Sequence, residues 1–119
     1  MDDEKVVREV AGRMLKHIGY ADVEFAVDGD EAIKLYKAAM DAGHPFTVAI
    51  LDLTIAGGMG GEAALRRLLE VDPVIKAIVS SGYIDDPVMA RCKDYGFSGI
   101  VAKPYTVDEL RKAVQDVMG

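Results

Sequence analysis

The chain has 119 residues, half of them hydrophobic, so a single domain over residues 1–119 with a proper core is expected and disorder is not. A formal charge of -6, from 14 basic and 20 acidic residues, argues against a nucleic-acid surface, which needs clustered Lys and Arg. The one cysteine, Cys92, excludes an internal disulfide, no apolar run approaches membrane-spanning length, and Met1 leads into "DDEK" rather than a signal peptide, so a cytoplasmic protein with no membrane partner is expected.

Residues 5–18 place Val6, Val10, Met14 and Ile18 at helical spacing, with Gly19 as a stop. "DVEFAV" (22–27) alternates apolar and polar residues, which predicts a strand. The chain turns at Asp28-Gly29 and reads helical through Ile33, Tyr36 and Met40 as far as Gly43 and Pro45. "FTVAIL" (46–51) is a nearly continuous apolar run, as in a strand covered on both faces. A helix from about Gly61 carries Leu65, Leu68 and Leu69 and ends at Asp72-Pro73.

The second half repeats the alternation. "VIKAIV" (74–79) predicts a strand running into "SSGY". Asp86-Pro87 supplies an N-cap and first turn, and Val88, Cys92 and Tyr95 share a face of the helix that Gly96 closes. "GIVA" (99–102) predicts the last strand, and "TVDE" (106–109) is a capping box for a helix carrying Leu110, Val114 and Val117.

Such alternation with short connections predicts an α/β fold, a parallel sheet between helices whose functional crevice lies beyond the carboxyl ends of the strands. Three of those ends carry chemistry: Asp52, Ser80-Ser81 and Lys103. Each has a structural explanation by itself, as a loop cap, a turn hydroxyl or a solvated amine. Together, a nucleophilic carboxylate, a hydroxyl donor and an ammonium are what phosphoryl chemistry needs. Asp2 and Asp3 stand just before the first helix, where they would cap it and favour its dipole. If they instead reach the crevice, three carboxylates crowd together and a hard cation such as Mg2+ would relieve them. His17 and His44 are isolated, Cys92 suits packing, and the methionines suit core gaps.

"DDE" before a helix, "VDGDEA", "LDLTIAGGMGG", "VSSGY" and "VAKPY" before an amphipathic helix resemble the receiver domain of two-component response regulators, over essentially the whole chain. "GGMGG" and "VSSGY" are most similar to receivers of hybrid sensor histidine kinases. The resemblance implies a flavodoxin-like, doubly wound parallel sheet with helices on both faces. It implies that Asp52 accepts a phosphoryl group from a phosphohistidine on a histidine kinase or a histidine phosphotransfer protein. Asp3 would then be the direct Mg2+ ligand and Asp2 a ligand through water, with Asp52 and the Thr54 backbone carbonyl completing the set. Ser81, followed by small Gly82, matches the switch hydroxyl, and Lys103 the conserved-type lysine, its bond to Pro104 cis. The glycines at 57, 58, 60 and 61 would let the loop adapt.

Two departures stand out. The family places an apolar strand ahead of its acidic pair, between the strands expected at 22–27 and 46–51, and here only Met1 precedes Asp2. A sheet closed up with four strands, a homodimer or a strand-exchanged oligomer are the expected consequences, because bare strand edges invite pairing. Ile100 stands where the family often has a swinging aromatic, and Tyr83, two residues after Ser81, is placed to shield an acyl phosphate. The alternative reading is a receiver-like interaction module that is not phosphorylated. A haloacid-dehalogenase-like phosphatase is disfavoured, because Thr54 stands where its second aspartate would be.

Overall fold

In a computed structural model of the chain, which describes residues 1–83 and 85–119, helices and strands alternate largely as the residue pattern predicts. They are α1 (Lys5–Ile18), α2 (Gly29–Asp41), β1 (Ala49–Asp52), α3 (Gly61–Val71), β2 (Ala77–Ser81), α4 (Pro87–Ala90), β3 (Gly99–Ala102) and α5 (Val107–Met118). Local chemistry starts several of them. Asp28 accepts the Glu31 N–H at the head of α2, and Asp86 accepts the Val88 N–H ahead of α4 with Pro87 in its first turn. Thr106 and Glu109 form both bonds of the capping box on α5.

The three strands pair in parallel in the order β1-β2-β3, with Asp52 opposite Ser80 and Ser81 opposite Ala102. Each face of the sheet is covered. On one, Leu51, Ala77 and Val79 pack with Ile33 and Tyr36 of α2, Leu65 and Leu68 of α3, and Val88 and Met89 of α4. On the other, Ile78 and Val101 pack with Leu110, Ala113, Val114 and Val117 of α5 and with Met14, Leu15 and Ile18 of α1. Adjacent strand residues therefore feed opposite cores, which is why these strands read as continuous apolar runs.

Residues 22–27 do not form the predicted strand; 21–26 run without a ladder. The alternation there is real, but the neighbour it needs is reduced to Met1 and Asp2. Those two residues span the gap. The Met1 amine donates to the Ile50 carbonyl at 2.7 Å, the Asp52 N–H donates to the Met1 carbonyl at 3.0 Å, and the Asp2 N–H donates to the Ala26 carbonyl at 3.0 Å. Among the described residues the sheet thus has three strands and does not close up to four.

Two helices also differ from expectation. In α1, Val6 and Val10 are 69% and 41% exposed, so the predicted inward stripe is wrong in its first two turns. Val7, Ala11 and Leu15 face inward instead, toward a cavity they share with Met1 and β1. The helix expected from Asp86 to Gly96 is broken at Arg91 into α4 and a 3-10 turn over Cys92–Tyr95, ended by Gly96 at φ 95°. Cys92 is half-buried against the α2–α3 core, as a packing residue.

Tyr36 ties α2 to the end of α3: its hydroxyl donates to Asp72 Oδ2 at 2.6 Å. Burial, and then the Asp72 carboxylate, push this phenol well above its ordinary value of 10. The unfolded chain therefore loses the Tyr36 proton first, so stability is unaffected below about pH 9 and falls as pH rises through 10. Tyr36→Phe should cost about 1 kcal/mol at pH 7 and flatten the alkaline fall, read from urea melts between pH 7 and 11.

Candidate functional site

The carboxyl ends of β1, β2 and β3 bring the expected residues to one edge. Asp52 closes β1, and α3 begins directly against it. A Cβ on Gly61 would lie 2.8 Å from the Asp52 carbonyl oxygen, so glycine is required for this approach. Gly57 supplies the left-handed turn of the preceding loop at φ 68°. The Ser81 carbonyl accepts the Lys103 N–H at 2.9 Å, which locks the end of β2 to the residue after β3. The Lys103-Pro104 bond is cis, as the resemblance implies.

Lys103 is the hub. Its ammonium lies 2.6 Å from Asp2 Oδ2 and 3.1 Å from Asp52 Oδ2, with all three side chains mostly buried. Burial alone would lower the Lys103 value, but the two carboxylates outweigh it and hold the ammonium above its ordinary range. Asp52, 5% exposed, is pushed up by burial. Lys103 and the Thr54 N–H pull it back without cancelling the shift, and the Asp2 charge adds to it. Burial likewise brings the Met1 amine down to about 6, against the opposing pull of Asp2 and Asp52.

Carboxylate oxygens of Asp2, Asp3 and Asp52 lie within 4.8 Å of one another. One cation, Lys103, faces two of these three acids, and an all-oxygen donor set of this kind fits a hard divalent ion. Asp3 is exposed and accepts the Ala56 N–H at 3.3 Å, while Asp2 is buried. The structural role of Asp2 is present too: its Oδ1 accepts the Glu4 N–H at 2.9 Å ahead of α1.

Ser81 is buried, and its Oγ accepts the Tyr83 N–H at 3.0 Å, which leaves its own proton free to donate. Thr54 is exposed beyond the end of β1, and Tyr83 is 70% exposed. Gly82 leaves open space where a Cβ would stand, and Ile100 is 42% exposed on β3. Two participants escaped the sequence reading. The Met1 backbone binds β1, and the buried Ser80 Oγ, without a partner among the described residues, adjoins the cavity beside Met1. Nothing in a "VSS" run distinguishes which serine is satisfied. Ser80→Ala should leave stability unchanged or raise it by about 1 kcal/mol in chemical melts, because an unpaired buried hydroxyl stabilises nothing.

A buried aspartate held by a lysine beside a free hydroxyl and two further acids, at the carboxyl edge of a parallel sheet, defines a phosphoacceptor class of site. Residues 1–115 match the response regulator receiver domain, and the chain belongs to that family of two-component signalling domains. It is 27% identical over 113 residues to the osmosensing histidine protein kinase SLN1 of Saccharomyces cerevisiae, covering 93% of this chain and 9% of that protein. It is 30% identical over 118 residues to the response regulator GacA of Pseudomonas aeruginosa, covering 98% of this chain and 52% of GacA. The chain therefore spans about half or less of these two relatives. The receiver domain of the sensor histidine kinase PA1611 from Pseudomonas aeruginosa PAO1 shares the fold, with a TM-score of 0.84 and 21% identity over 100% of this chain and 93% of that one. That structure carries a magnesium ion in its active-site cleft. Among the described residues of the present chain, no helix is long and apolar enough to cross a membrane.

Proposed function

We propose that residues 1–119 form one receiver domain in which Asp52 accepts a phosphoryl group from a phosphohistidine on a histidine kinase or phosphotransfer protein. The observation that carries this reading is the Lys103 ammonium held between Asp2 and Asp52 beside the free Ser81 proton. An Asp52 carboxylate oxygen attacks phosphorus in line, the bond from phosphorus to the donor imidazole nitrogen breaks, and an acyl phosphate results. Lys103 offsets charge on the phosphoryl oxygens, and the Ser81 hydroxyl turns to donate to one of them. Mg2+, held by the carboxylates of Asp2, Asp3 and Asp52 and the Thr54 carbonyl, would supply further neutralisation of that charge. The domain is a cytoplasmic signalling module rather than a turnover enzyme, its catalysis limited to its own phosphorylation and dephosphorylation.

Intact mass after incubation with acetyl phosphate tests this. One Mg2+-dependent adduct, absent from Asp52→Asn, is expected; no adduct on the folded chain would favour the unphosphorylated interaction module. The output surface includes the Ser81-Gly82 loop, α4 and β3, where Ile100 replaces an aromatic switch with an aliphatic contact. Tyr83 shields the acyl phosphate only if its exposed ring folds over Asp52. Tyr83→Ala should then shorten the phosphoryl lifetime several-fold, and an equal lifetime by quenched mass analysis would remove that role. The bare edge of β1 also supports the reading that the isolated chain forms a homodimer or strand-exchanged oligomer, which light scattering at micromolar concentration would detect.

A further inference from the structure

Arg8, in the first turn of α1, reaches back past the start of its own helix. Its N–H donates to the Glu4 carbonyl at 3.1 Å, which fixes its place on the helix, and helical side chains lean toward the N-terminus. The half-buried guanidinium then donates from Nη1 to the Asp2 carbonyl at 2.9 Å. The acceptor is backbone, not carboxylate, so the contact does not use up either acid.

What it holds is a peptide plane. The Asp2 carbonyl and the Asp3 N–H belong to one planar unit, so fixing the oxygen sets the direction in which the chain leaves Asp2. Asp2 is anchored on its other sides as well. Its N–H donates to the Ala26 carbonyl at 3.0 Å, its Oδ1 accepts the Glu4 N–H at 2.9 Å, and its Oδ2 accepts from Lys103 at 2.6 Å. Asp3 has much less support. It is exposed, and its carboxylate accepts only the Ala56 N–H, at 3.3 Å, among the described residues. Yet its oxygen lies within 4.8 Å of those of Asp2 and Asp52. That convergence depends on the peptide that Arg8 grips.

We propose that Arg8 is a positioning residue for the acid pair: its guanidinium fixes the Asp2–Asp3 peptide so that Asp3 presents its carboxylate to a divalent cation together with Asp2 and Asp52. The inference rests on the cation role given above to those three acids.

Two effects of Arg8 on a bound cation have opposite signs. Its positive charge repels the ion, so removing it would tighten binding if charge alone mattered. Removing its hydrogen bond frees the Asp2–Asp3 peptide, and ordering that peptide again on binding costs affinity. Outer partners that orient a metal's ligands are worth about 10- to 100-fold in affinity, whereas a charge partly in water is screened. Positioning therefore wins. Because one donor on a long stem is enough, lysine can replace arginine here.

Arg8→Met and Arg8→Lys, each in the full chain and compared with the parent, test this. In chelator, the NMR order parameter of the Asp3 N–H should fall from about 0.85 in the parent to about 0.6 in Arg8→Met, and should stay near the parent value in Arg8→Lys. By calorimetric titration, Mg2+ should bind Arg8→Met about tenfold more weakly than the parent, and Arg8→Lys within about threefold of it. Labelling of Arg8→Met by acetyl phosphate should be slow at limiting Mg2+ and should regain the parent rate at saturating Mg2+. A lower melting temperature with parental Mg2+ affinity and parental Asp3 order overturns the proposal and leaves Arg8 as an anchor of α1. Tighter Mg2+ binding by Arg8→Met overturns it in favour of charge alone. Mg2+ binding by none of the three chains overturns the cation role itself, and the Asp3 order parameter then still decides whether Arg8 holds the peptide.

Discussion

Replacing Lys103 by Met should lower the stability of the metal-free protein by about 3 kcal/mol, the largest effect expected of any single change at the site. Lys103 is the one cation within reach of both Asp2 Oδ2 and Asp52 Oδ2 among the described residues, at 2.6 and 3.1 Å. Its methylenes could be replaced by methionine, but the two carboxylates would be left mostly buried and facing each other without a counter-charge. For a domain of this size the loss corresponds to a fall of more than about 10 °C in melting temperature. Millimolar Mg2+ should recover much of it, because the cation takes over the neutralisation, and the parent chain should gain less from the same addition. A Lys103→Met chain that melts like the parent in chelator would show that water, not the ammonium, satisfies these acids.

Asp52→Asn should act in the opposite direction, raising metal-free stability by about 1 kcal/mol while abolishing the phosphoryl adduct. The folded chain holds Asp52 above its ordinary value of 3.8, chiefly by burial. Folding is therefore penalised at every pH above that raised value, and the penalty fades as pH falls through it toward 3.8. The asparagine side chain carries no such charge, and Lys103 keeps Asp2 as its partner. Urea melts in chelator between pH 4 and 7 should show the gain at pH 7 shrinking toward acid. A variant less stable than the parent at pH 7 would mean that the Lys103–Asp52 attraction exceeds the cost of burying the acid. Stabilisation on removal of a buried charge is the pattern of a site kept for function at a cost in stability.

The same edge chemistry is legible in the residue order. Asp52, Ser81 and Lys103 each follow an apolar run, and a parallel sheet carries the ends of such runs to one side. Helix starts at Asp28, Asp86 and Thr106 were equally legible, because capping is settled within four residues of chain. Residues 22–27 were not, because alternation records which side chains want burial and says nothing about whether a partner strand is there. Val6 and Val10 misled for a related reason: helical spacing defines a stripe, while the packing partner decides which of two neighbouring stripes turns inward. The break at Arg91 left no signal either, since α4 and the turn at Cys92–Tyr95 bury Val88 and Met89 against a core assembled from distant segments.

By itself, then, the residue order determined the α/β alternation, the helix caps and the set of reactive side chains, because these depend on neighbours a few positions away. Only the tertiary structure decided that Met1 and Asp2 bridge the gap between Ala26 and β1 and that Lys103 joins Asp2 to Asp52. Those outcomes depend on which backbone groups find partners and which charges share a low-dielectric space across up to 101 positions of sequence, and no local pattern encodes that.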